Sequence, residues 1–192
     1  MTPIAVFVSG NGTNCEALIR HFGTSSRAKV ALVVSSSPSA YALVRAERLG
    51  VPTAVLTKSG LNDPAVVLPL LAEYHVEWIV LAGFLKVVPD FLLEAYPRRV
   101  VNLHPALLPK FGGKGMYGHH VHEAVKAAGE TRSGITIHYV NEVYDSGTII
   151  FQAQCDITPN DTPDDIAQKV HILEMEHYPK VTEKLLKDLN TL

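Results

Sequence analysis

Three short runs of consecutive apolar residues constrain the fold more than any other feature of this sequence. They are Ile4–Val8 (IAVFV), Val30–Val34 (VALVV) and Trp78–Ala82 (WIVLA), each rich in aliphatic side chains. A strand that is apolar on both faces is typical of a parallel sheet covered by helices. Amphipathic stretches predict helices over residues 14–22, 40–49 and 64–74. The pattern predicts an α/β fold, a doubly wound, Rossmann-like and mostly parallel sheet with helices on both faces.

The second half of the chain has a different pattern. The predicted elements are strands over 99–104, 135–140 and 148–157 and helices over 119–128 and 163–188, the last interrupted at Pro179. Apolar and polar residues alternate more clearly in the last two strands, so we expect a mixed sheet. A glycine-rich loop covers residues 110–118. Since no linker or repeat is present, we expect a single domain over residues 1–192.

Composition argues against several classes of protein. The chain has 192 residues, of which 47% are apolar and 19% charged, with a formal net charge of −2. This balance predicts a folded core and disfavours binding to nucleic acid or to a membrane through bulk charge. Cys15 and Cys155 stand far apart, so neither a disulfide framework nor a thiolate zinc site is supported. Without a basic leader or an apolar run of about 18 residues, we expect a soluble, cytoplasmic protein.

The residues after the first predicted strand have the composition of a phosphate-binding loop. They are Gly10, Asn11, Gly12, Thr13 and Asn14, and they open the next predicted helix. Glycines let backbone N–H groups turn toward one point, and a helix N-terminus adds partial positive charge. The stretch matches neither GxGxxG nor GxxxxGK[ST], which disfavours a dinucleotide or a nucleoside triphosphate. The alternative is a tight turn in which Thr13 or Asn14 caps the helix.

Asn102 and His104 form the most informative pair. Residues two apart in a strand share a face, while Leu103 faces the core and Pro105 ends the strand. An amide beside an imidazole suits addition to a carbonyl, because the amide stabilises an oxyanion and the imidazole moves a proton. The alternative is that both side chains only complete the hydrogen bonds of the strand end.

Asp145 lies in a predicted turn, Tyr144–Gly147, at the rim of the sheet. A carboxylate that reaches His104 would orient the imidazole and raise its pKa. Aspartate is also common in turns for backbone reasons alone, so its role depends on reaching His104.

The remaining polar candidates are histidines on predicted helices. His119, His120 and His122 precede Glu123, and His171 lies on one helix face with Glu174. Their spacing matches no recognised zinc or di-iron motif, and no GxSxG elbow is present. His171 and Glu174 would hold a polar or cationic ligand group, or are simply solvated.

Taken together, these segments resemble the glycinamide ribonucleotide transformylase family, the folate-dependent formyltransferases of purine synthesis. The matching segments are SGNGTN at 9–14, LAGFLKVV at 81–88, NLHPALLPKF at 102–111, ITIHYV at 135–140, YDSGTIIFQ at 144–152 and DDIAQKVHILEMEHYP at 164–179. They run in order over nearly the whole chain. HPALLP with its upstream Asn and downstream DSG is specific for the wider formyltransferase fold.

The resemblance implies roles for individual residues. It implies a catalytic trio of Asn102, His104 and Asp145. It implies that Gly10, Asn11, Gly12, Thr13 and Asn14 bind the phosphate of the ribonucleotide, with His171 and Glu174 near its ribose and glycinamide. The implied folate-binding residues are Leu85, Lys86, Val87, Val88 and Asn102. Lys110, the 112–118 loop and His122 are implied to lie near the substrate.

The resemblance also implies the reaction. The amine of glycinamide ribonucleotide would attack the formyl carbon of 10-formyltetrahydrofolate, the co-substrate, without a covalent enzyme intermediate or a metal. Asn102 and a protonated His104 would stabilise the tetrahedral oxyanion. The implied partners are these small molecules rather than nucleic acid or membrane, and a homodimer is one candidate assembly.

Two departures and three rivals qualify this interpretation. Lys86 stands where many relatives carry arginine, and residues 57–62 contain no arginine, which leaves the folate-tail contacts open. A 10-formyltetrahydrofolate deformylase shares the trio but usually has an extra N-terminal domain. Methionyl-tRNA formyltransferase usually has a C-terminal domain and more basic charge. A catalytically silent phosphosugar-binding module is the third rival, and retention of the whole trio counts against it.

Overall fold

A computed structural model describes residues 1–188 of the chain. The strands are β1 (Thr2–Val8), β2 (Ala28–Ser35), β3 (Thr53–Val55), β4 (Trp78–Leu81), β5 (Val100–His104), β6 (Arg132–Tyr139) and β7 (Ile149–Asp156). The helices are α1 (Thr13–Gly23), α2 (Tyr41–Arg48), α3 (Lys58–Leu61), α4 (Pro64–Glu73), α5 (Asp90–Ala95), α6 (His119–Ala127) and α7 (Pro163–Asp188). The described chain forms two compact units, one of Met1–Val101 with residues 179–188, the other of Asn102–Tyr178.

The first unit is built on parallel strands. Its strand order is β3-β2-β1-β4, and β1 pairs in parallel with both β2 and β4. Every residue of β1 and of β4 is buried, because both faces of the sheet are covered. The backbone N–H of Ile79 donates to the carbonyl of Arg99 at 2.9 Å, which places the start of β5 beside β4. The predicted parallel α/β pattern is confirmed here.

The second unit contains the antiparallel part of the fold. Its strands are the rest of β5, then β6 and β7, and the last two pair in antiparallel register from Arg132 opposite Asp156 to His138 opposite Ile149. Ile135 and Ile137 are fully buried. The expected mixed sheet is therefore confirmed. In the sequence, α6 precedes β6 and α7 follows β7.

Some predictions about elements were incomplete or wrong. The three short elements β3, α3 and α5 were not predicted, because they are too short to show a periodicity. The predicted interruption at Pro179 is wrong, since α7 continues through it. A proline removes one backbone N–H, and burial of Tyr178 and Thr182 on either side holds the adjoining turns helical. The single domain expected over 1–192 stays a prediction, and residues 189–192 lie outside the described residues.

Residues 1–188 include no helix that is both long and apolar enough to cross a membrane.

Candidate active site

The loop after β1 bends closely against α2. Gly12 is the N-cap residue of α1 and has a φ of 80°, a conformation that glycine adopts without strain. A Cβ on Gly12 would lie only 2.4 Å from Cβ of Ala42, so the close approach requires glycine. The N-cap residue is Gly12, which has no side chain to cap α1, so the alternative in which Thr13 or Asn14 is the capping residue is wrong.

Ser9 connects this loop to the loop after β4. Its backbone N–H donates to the carbonyl of Gly83 at 3.1 Å, and its Oγ accepts from the backbone N–H of Leu85 at 2.8 Å. The carboxyl ends of the parallel strands β1 and β4 lie at the same edge, which brings the two loops together. The predicted phosphate loop, Gly10–Asn14, and the predicted folate segment, Leu85–Val88, are thus neighbours in the first unit.

The side chains of the folate segment differ in exposure. Leu85 and Val87 are each 54% exposed, which is unusual for large apolar side chains, and both are available to an apolar ring. Lys86 is exposed, whereas Val88 is only 6% exposed. The Val88 side chain is therefore part of the core rather than of the exposed surface of this segment.

In the second unit, β5 carries Asn102 and His104. The His104 side chain is 4% exposed, and its Nε2 donates to the backbone carbonyl of Phe111 at 2.7 Å. A neutral histidine with its proton on Nε2 has an unshared electron pair on Nδ1. That Nδ1 lies 3.6 Å from Oδ2 of Asp145. The structure therefore brings Asp145 to His104.

Asp145 occupies a turn between β6 and β7 in an uncommon conformation, with a φ of 52°. Its Oδ2 accepts from the backbone N–H of Gly113 at 2.9 Å, and its Oδ1 lies 3.6 Å from Nε2 of His138. One carboxylate thus lies between two imidazoles and also holds the glycine-rich loop.

His138 is a member of this cluster that the residue-by-residue sequence argument did not single out. It is 2% exposed, its Nδ1 lies 2.9 Å from the carbonyl of Tyr139, and its Nε2 lies 3.1 Å from Nδ2 of Asn102. Because a carbonyl only accepts, Nδ1 is the donor, and Nε2 of a neutral His138 accepts from Asn102. His138 therefore orients the Asn102 amide. The available signal is alternation: Thr136 and His138 are polar positions that alternate with the apolar Ile135 and Ile137.

Burial and neighbouring charges shift the pKa values of His104 and Asp145 in opposite directions. Burial lowers the pKa of His104, and the nearby carboxylate of Asp145 opposes this only in part. The expected effect of Asp145 on the His104 pKa is confirmed in direction, but the pKa is lowered overall because desolvation of the imidazolium outweighs the carboxylate. For Asp145 burial acts to raise the pKa, but His138, His104 and the Gly113 N–H together hold it below its usual value. The structure thus favours a neutral His104 beside an ionised Asp145.

An open pocket of about 370 Å³ adjoins Asp145 in the second unit. Its lining combines apolar side chains with three glycines, and includes Leu108, Gly112, Gly113, Tyr144, Gly147 and Ile149. A Cβ on Gly112 would lie 2.5 Å from Cδ2 of Leu108, so the absence of a side chain at Gly112 allows the close packing of these two lining residues. Its volume lies within the range of small-molecule sites.

His171 and Glu174 share a face of α7, as their spacing predicts. Nδ1 of His171 lies 3.0 Å from Oε2 of Glu174, and this hydrogen bond raises the pKa of His171. The Glu174 side chain is 13% exposed and the His171 side chain 43% exposed. The pair presents a partly buried carboxylate and an imidazole that is readily protonated.

The histidines of α6 divide into two groups. His119 and His120 are exposed and face Glu123, at 3.7 Å and 3.2 Å. His122 is 6% exposed, and its Nδ1 has no hydrogen-bond partner in the described chain. No group of three or more potential metal ligands occurs in residues 1–188. Lys110, expected near the substrate, pairs with Glu130 at 2.7 Å.

Neither cysteine is suited to act as a nucleophile. Burial raises the pKa of Cys15 to about 12, and it raises that of Cys155 as well. Both thiols are free and protonated at neutral pH.

Comparison with known proteins settles the family. Residues 2–182 match the model of the formyl transferase family. The chain belongs to the formyl transferase family. It is 40% identical over 197 residues to the chloroplastic phosphoribosylglycinamide formyltransferase of Arabidopsis thaliana, covering 96% of this chain and 66% of the plant protein. It is 37% identical over 191 residues to the phosphoribosylglycinamide formyltransferase of Bacillus subtilis, covering 97% and 95% of the two chains.

Solved formyltransferase structures have the same fold. The phosphoribosylglycinamide formyltransferase of Anaplasma phagocytophilum superposes with a TM-score of 0.89 at 32% identity, covering 97% of this chain and 87% of that one. Glycinamide ribonucleotide transformylase 1 of Geobacillus kaustophilus gives a TM-score of 0.88 at 34% identity, covering 97% and 99%. The predicted fold class and family are confirmed, and the chain is a formyltransferase.

Proposed function

We propose that this formyltransferase transfers the formyl group of 10-formyltetrahydrofolate to the amine of glycinamide ribonucleotide. The products are formylglycinamide ribonucleotide and tetrahydrofolate, a step of de novo purine (IMP) biosynthesis. The observation that carries the proposal is the Asp145 carboxylate held between His104 and His138, in a chain 37% identical to a phosphoribosylglycinamide formyltransferase along 95% of that protein's length.

The ribonucleotide is bound through its phosphate and its amine. Gly10, Asn11, Gly12, Thr13 and Asn14 offer backbone N–H groups at the start of α1, where partial positive charge favours an anion. The Glu174 carboxylate attracts the amine in its charged form, and His171 donates toward ribose hydroxyls. The amine has a pKa of roughly 8, like an α-amino group, so a useful fraction is neutral and nucleophilic at pH 7.

The folate is bound through apolar contact with the exposed side chains of Leu85 and Val87. Backbone groups of Lys86 and Val88 serve the polar edge of its ring. The faces of the ring are apolar, which fits side chains that are left unusually exposed. No metal takes part in this binding.

The reaction needs one bond made, one broken and one proton moved. The amine nitrogen attacks the formyl carbon, which gives a tetrahedral oxyanion; collapse then breaks the bond between that carbon and folate N10. The amine loses a proton, N10 gains one, and no charge remains. Asn102 donates from its amide to the oxyanion, oriented by its hydrogen bond to His138.

His104 supplies the proton transfer. It begins neutral because burial lowers its pKa. A negative oxygen that develops beside the imidazole favours the imidazolium, in the same direction as Asp145, so the pKa rises during the attack. The unprotonated Nδ1 of His104 therefore accepts the proton of the amine, and the resulting imidazolium gives one proton to N10, so that His104 needs no charge beforehand.

A spectrophotometric assay tests the function. A 10-formyl folate analogue is incubated with the enzyme, with and without glycinamide ribonucleotide, and formylated product is recovered by chromatography. Loss of the formyl group only in the presence of the ribonucleotide, with product recovered, is the expected result. Equal loss without it would identify a deformylase, and no reaction in either mixture would leave a phosphosugar-binding module.

The location of the enzyme and its oligomeric state belong to the same proposal. The enzyme works in the cytoplasm on small molecules, without nucleic acid or membrane, and as a single formyltransferase domain. Light scattering of the purified protein distinguishes a monomer from a homodimer.

A further inference from the structure

Arg45, on α2, contacts the loop after β1 through two hydrogen bonds to one residue. Its Nε donates to the backbone carbonyl of Asn11 at 2.9 Å, and its Nη2 donates to Oδ1 of the Asn11 side chain at 3.1 Å. A guanidinium has planar donors in a fixed geometry, so the two bonds together set both the backbone and the side chain of Asn11.

The guanidinium is itself held from two further sides. Nη1 pairs with the Glu16 carboxylate on α1, and the group lies over the ring of Tyr41 at 5.0 Å from the centroid. Its side chain is 23% exposed. Arg45 is therefore fixed before any ligand arrives.

The direction of the Asn11 carbonyl decides where the neighbouring N–H groups face. In a trans peptide the carbonyl and the following N–H point in opposite directions. The carbonyl of Gly10 accepts from the N–H of Ala42 at 3.1 Å, and that of Asn11 accepts from Arg45. Both carbonyls thus face α2, and the N–H groups of Asn11 and Gly12 face away from it. Two successive N–H groups on one side form a concave site for an anion.

Arg45 also sets the Asn11 amide. Because Oδ1 accepts from Nη2, the Nδ2 donors lie on the opposite side of the amide, away from the guanidinium. We propose that Arg45 is a positioning residue that builds the phosphate cradle of Asn11 and Gly12 and so sets the preference for a phosphorylated substrate. This inference rests on the proposed function, since the phosphate is that of the ribonucleotide.

Three variants separate positioning from charge. Arg45→Met removes the donors, and Arg45→Lys keeps the charge but cannot make both bonds in one plane. Arg48→Met is the matched control, since Arg48 is on the same helix, lies 6.0 Å from the same Tyr41 ring and donates to Tyr41 Oη at 3.2 Å. Calorimetry with ribose 5-phosphate measures phosphate binding without turnover, and thermal melting checks folding.

We expect Arg45→Met to lower the affinity for ribose 5-phosphate about 10- to 100-fold. Arg45→Lys should recover only a minor part of that lost affinity. In the assay the KM for glycinamide ribonucleotide rises by a similar factor, while kcat and the KM for the folate change less than about 2-fold. The dephosphorylated riboside binds wild type and variants equally, and Arg48→Met behaves as wild type.

Three results would overturn the assignment of Arg45: wild-type phosphate binding in Arg45→Met, full recovery in Arg45→Lys, or equal weakening for the riboside. If Arg45→Met does not fold, the Arg45→Lys comparison alone decides. A wild-type enzyme that binds ribose 5-phosphate but transfers no formyl group would contradict the proposed function while leaving the Arg45 test valid.

Discussion

Oδ2 of Asp145 accepts a hydrogen bond from the backbone N–H of Gly113 at 2.9 Å. The same oxygen faces Nδ1 of His104 at 3.6 Å, and the carbonyl of Phe111 accepts from the other ring nitrogen of His104. The glycine-rich loop therefore contacts both members of the His104–Asp145 pair. Nε2 of His104 can donate a hydrogen bond to a substrate oxygen only when that oxygen replaces the Phe111 carbonyl.

Asp145→Asn keeps the size of the side chain and removes its charge. Since Asp145 opposes the effect of burial on His104, we expect the pKa of His104 to fall further in the variant. Formyl transfer should fall about 10²- to 10⁴-fold, the usual contribution of general acid–base catalysis. NMR titration of the imidazole and kcat measurements check both points.

The control for this variant is Asp156→Asn. The Asp156 side chain is 88% exposed and lies 3.4 Å from Arg132, in the same unit but outside the cluster. The Asp156→Asn variant should retain the wild-type kcat. A fully active Asp145→Asn enzyme would remove the carboxylate from the mechanism.

His138→Phe keeps the ring and removes both nitrogens. The Asn102 amide then loses its acceptor, and one oxygen of Asp145 loses its facing imidazole. We expect kcat to fall about 10-fold, the effect of losing one oriented hydrogen bond, with a changed pH profile of kcat/KM. His177→Phe, whose ring already packs against Phe151 at 5.0 Å, is the matched control and should leave the profile unchanged. An unchanged profile in His138→Phe would show that Asn102 needs no such support.

The fold was predictable where the sequence pattern is long or continuous. Runs such as Ile4–Val8 and Trp78–Ala82 are buried on both faces and can belong only to covered strands. A three-residue strand such as Thr53–Val55 has no such pattern, because its place is decided by pairing with β2. Pro179 shows the same limit, since tertiary burial outweighed a local helix-breaking signal.

The candidate site was predictable where its residues follow a local periodicity. Asn102 and His104 share a face because strands repeat every two residues. Arg45 could not be found in this way, since its partner Asn11 is 34 positions earlier and only folding brings them together. The direction of the His104 pKa shift also required the structure, because it depends on burial that no spacing reveals.

Two histidines should affect the stability of the fold with opposite dependence on pH. Burial lowers the pKa of His122, and the charge of Glu174 opposes this lowering; the hydrogen bond that His171 donates to Glu174 raises the pKa of His171. The unfolded chain binds a proton at each histidine near pH 6.5. The stability that His122 contributes is therefore complete above about pH 6.5 and is lost as the pH falls below it. The stability that His171 contributes is complete below about pH 6.5 and is lost as the pH rises through its raised pKa.

Urea unfolding between about pH 5 and pH 8 measures these contributions. Relative to wild type, His122→Asn should lose less stability as the pH falls below about 6.5. His171→Asn should lose less as the pH rises through the pKa of His171. Comparing slopes rather than absolute stabilities removes the cost of each substitution itself. Slopes equal to that of wild type in both variants would contradict these pKa shifts.

Gly147 should tolerate no side chain. A Cβ there would lie 1.7 Å from the backbone carbonyl oxygen of Tyr139, a contact that cannot be relieved by turning a side chain. The neighbouring bond from the Tyr139 N–H to the carbonyl of Thr148 fixes the two segments at this distance. Gly147→Ala should therefore lower the free energy of unfolding by about 3 kcal/mol or more and displace the turn that carries Asp145. Gly23→Ala, in open space at the end of α1, is the same substitution without a clash and should change stability by less than about 1 kcal/mol. Chemical denaturation of both variants decides the point, since equal stabilities would mean that the Tyr139–Gly147 approach is not rigid.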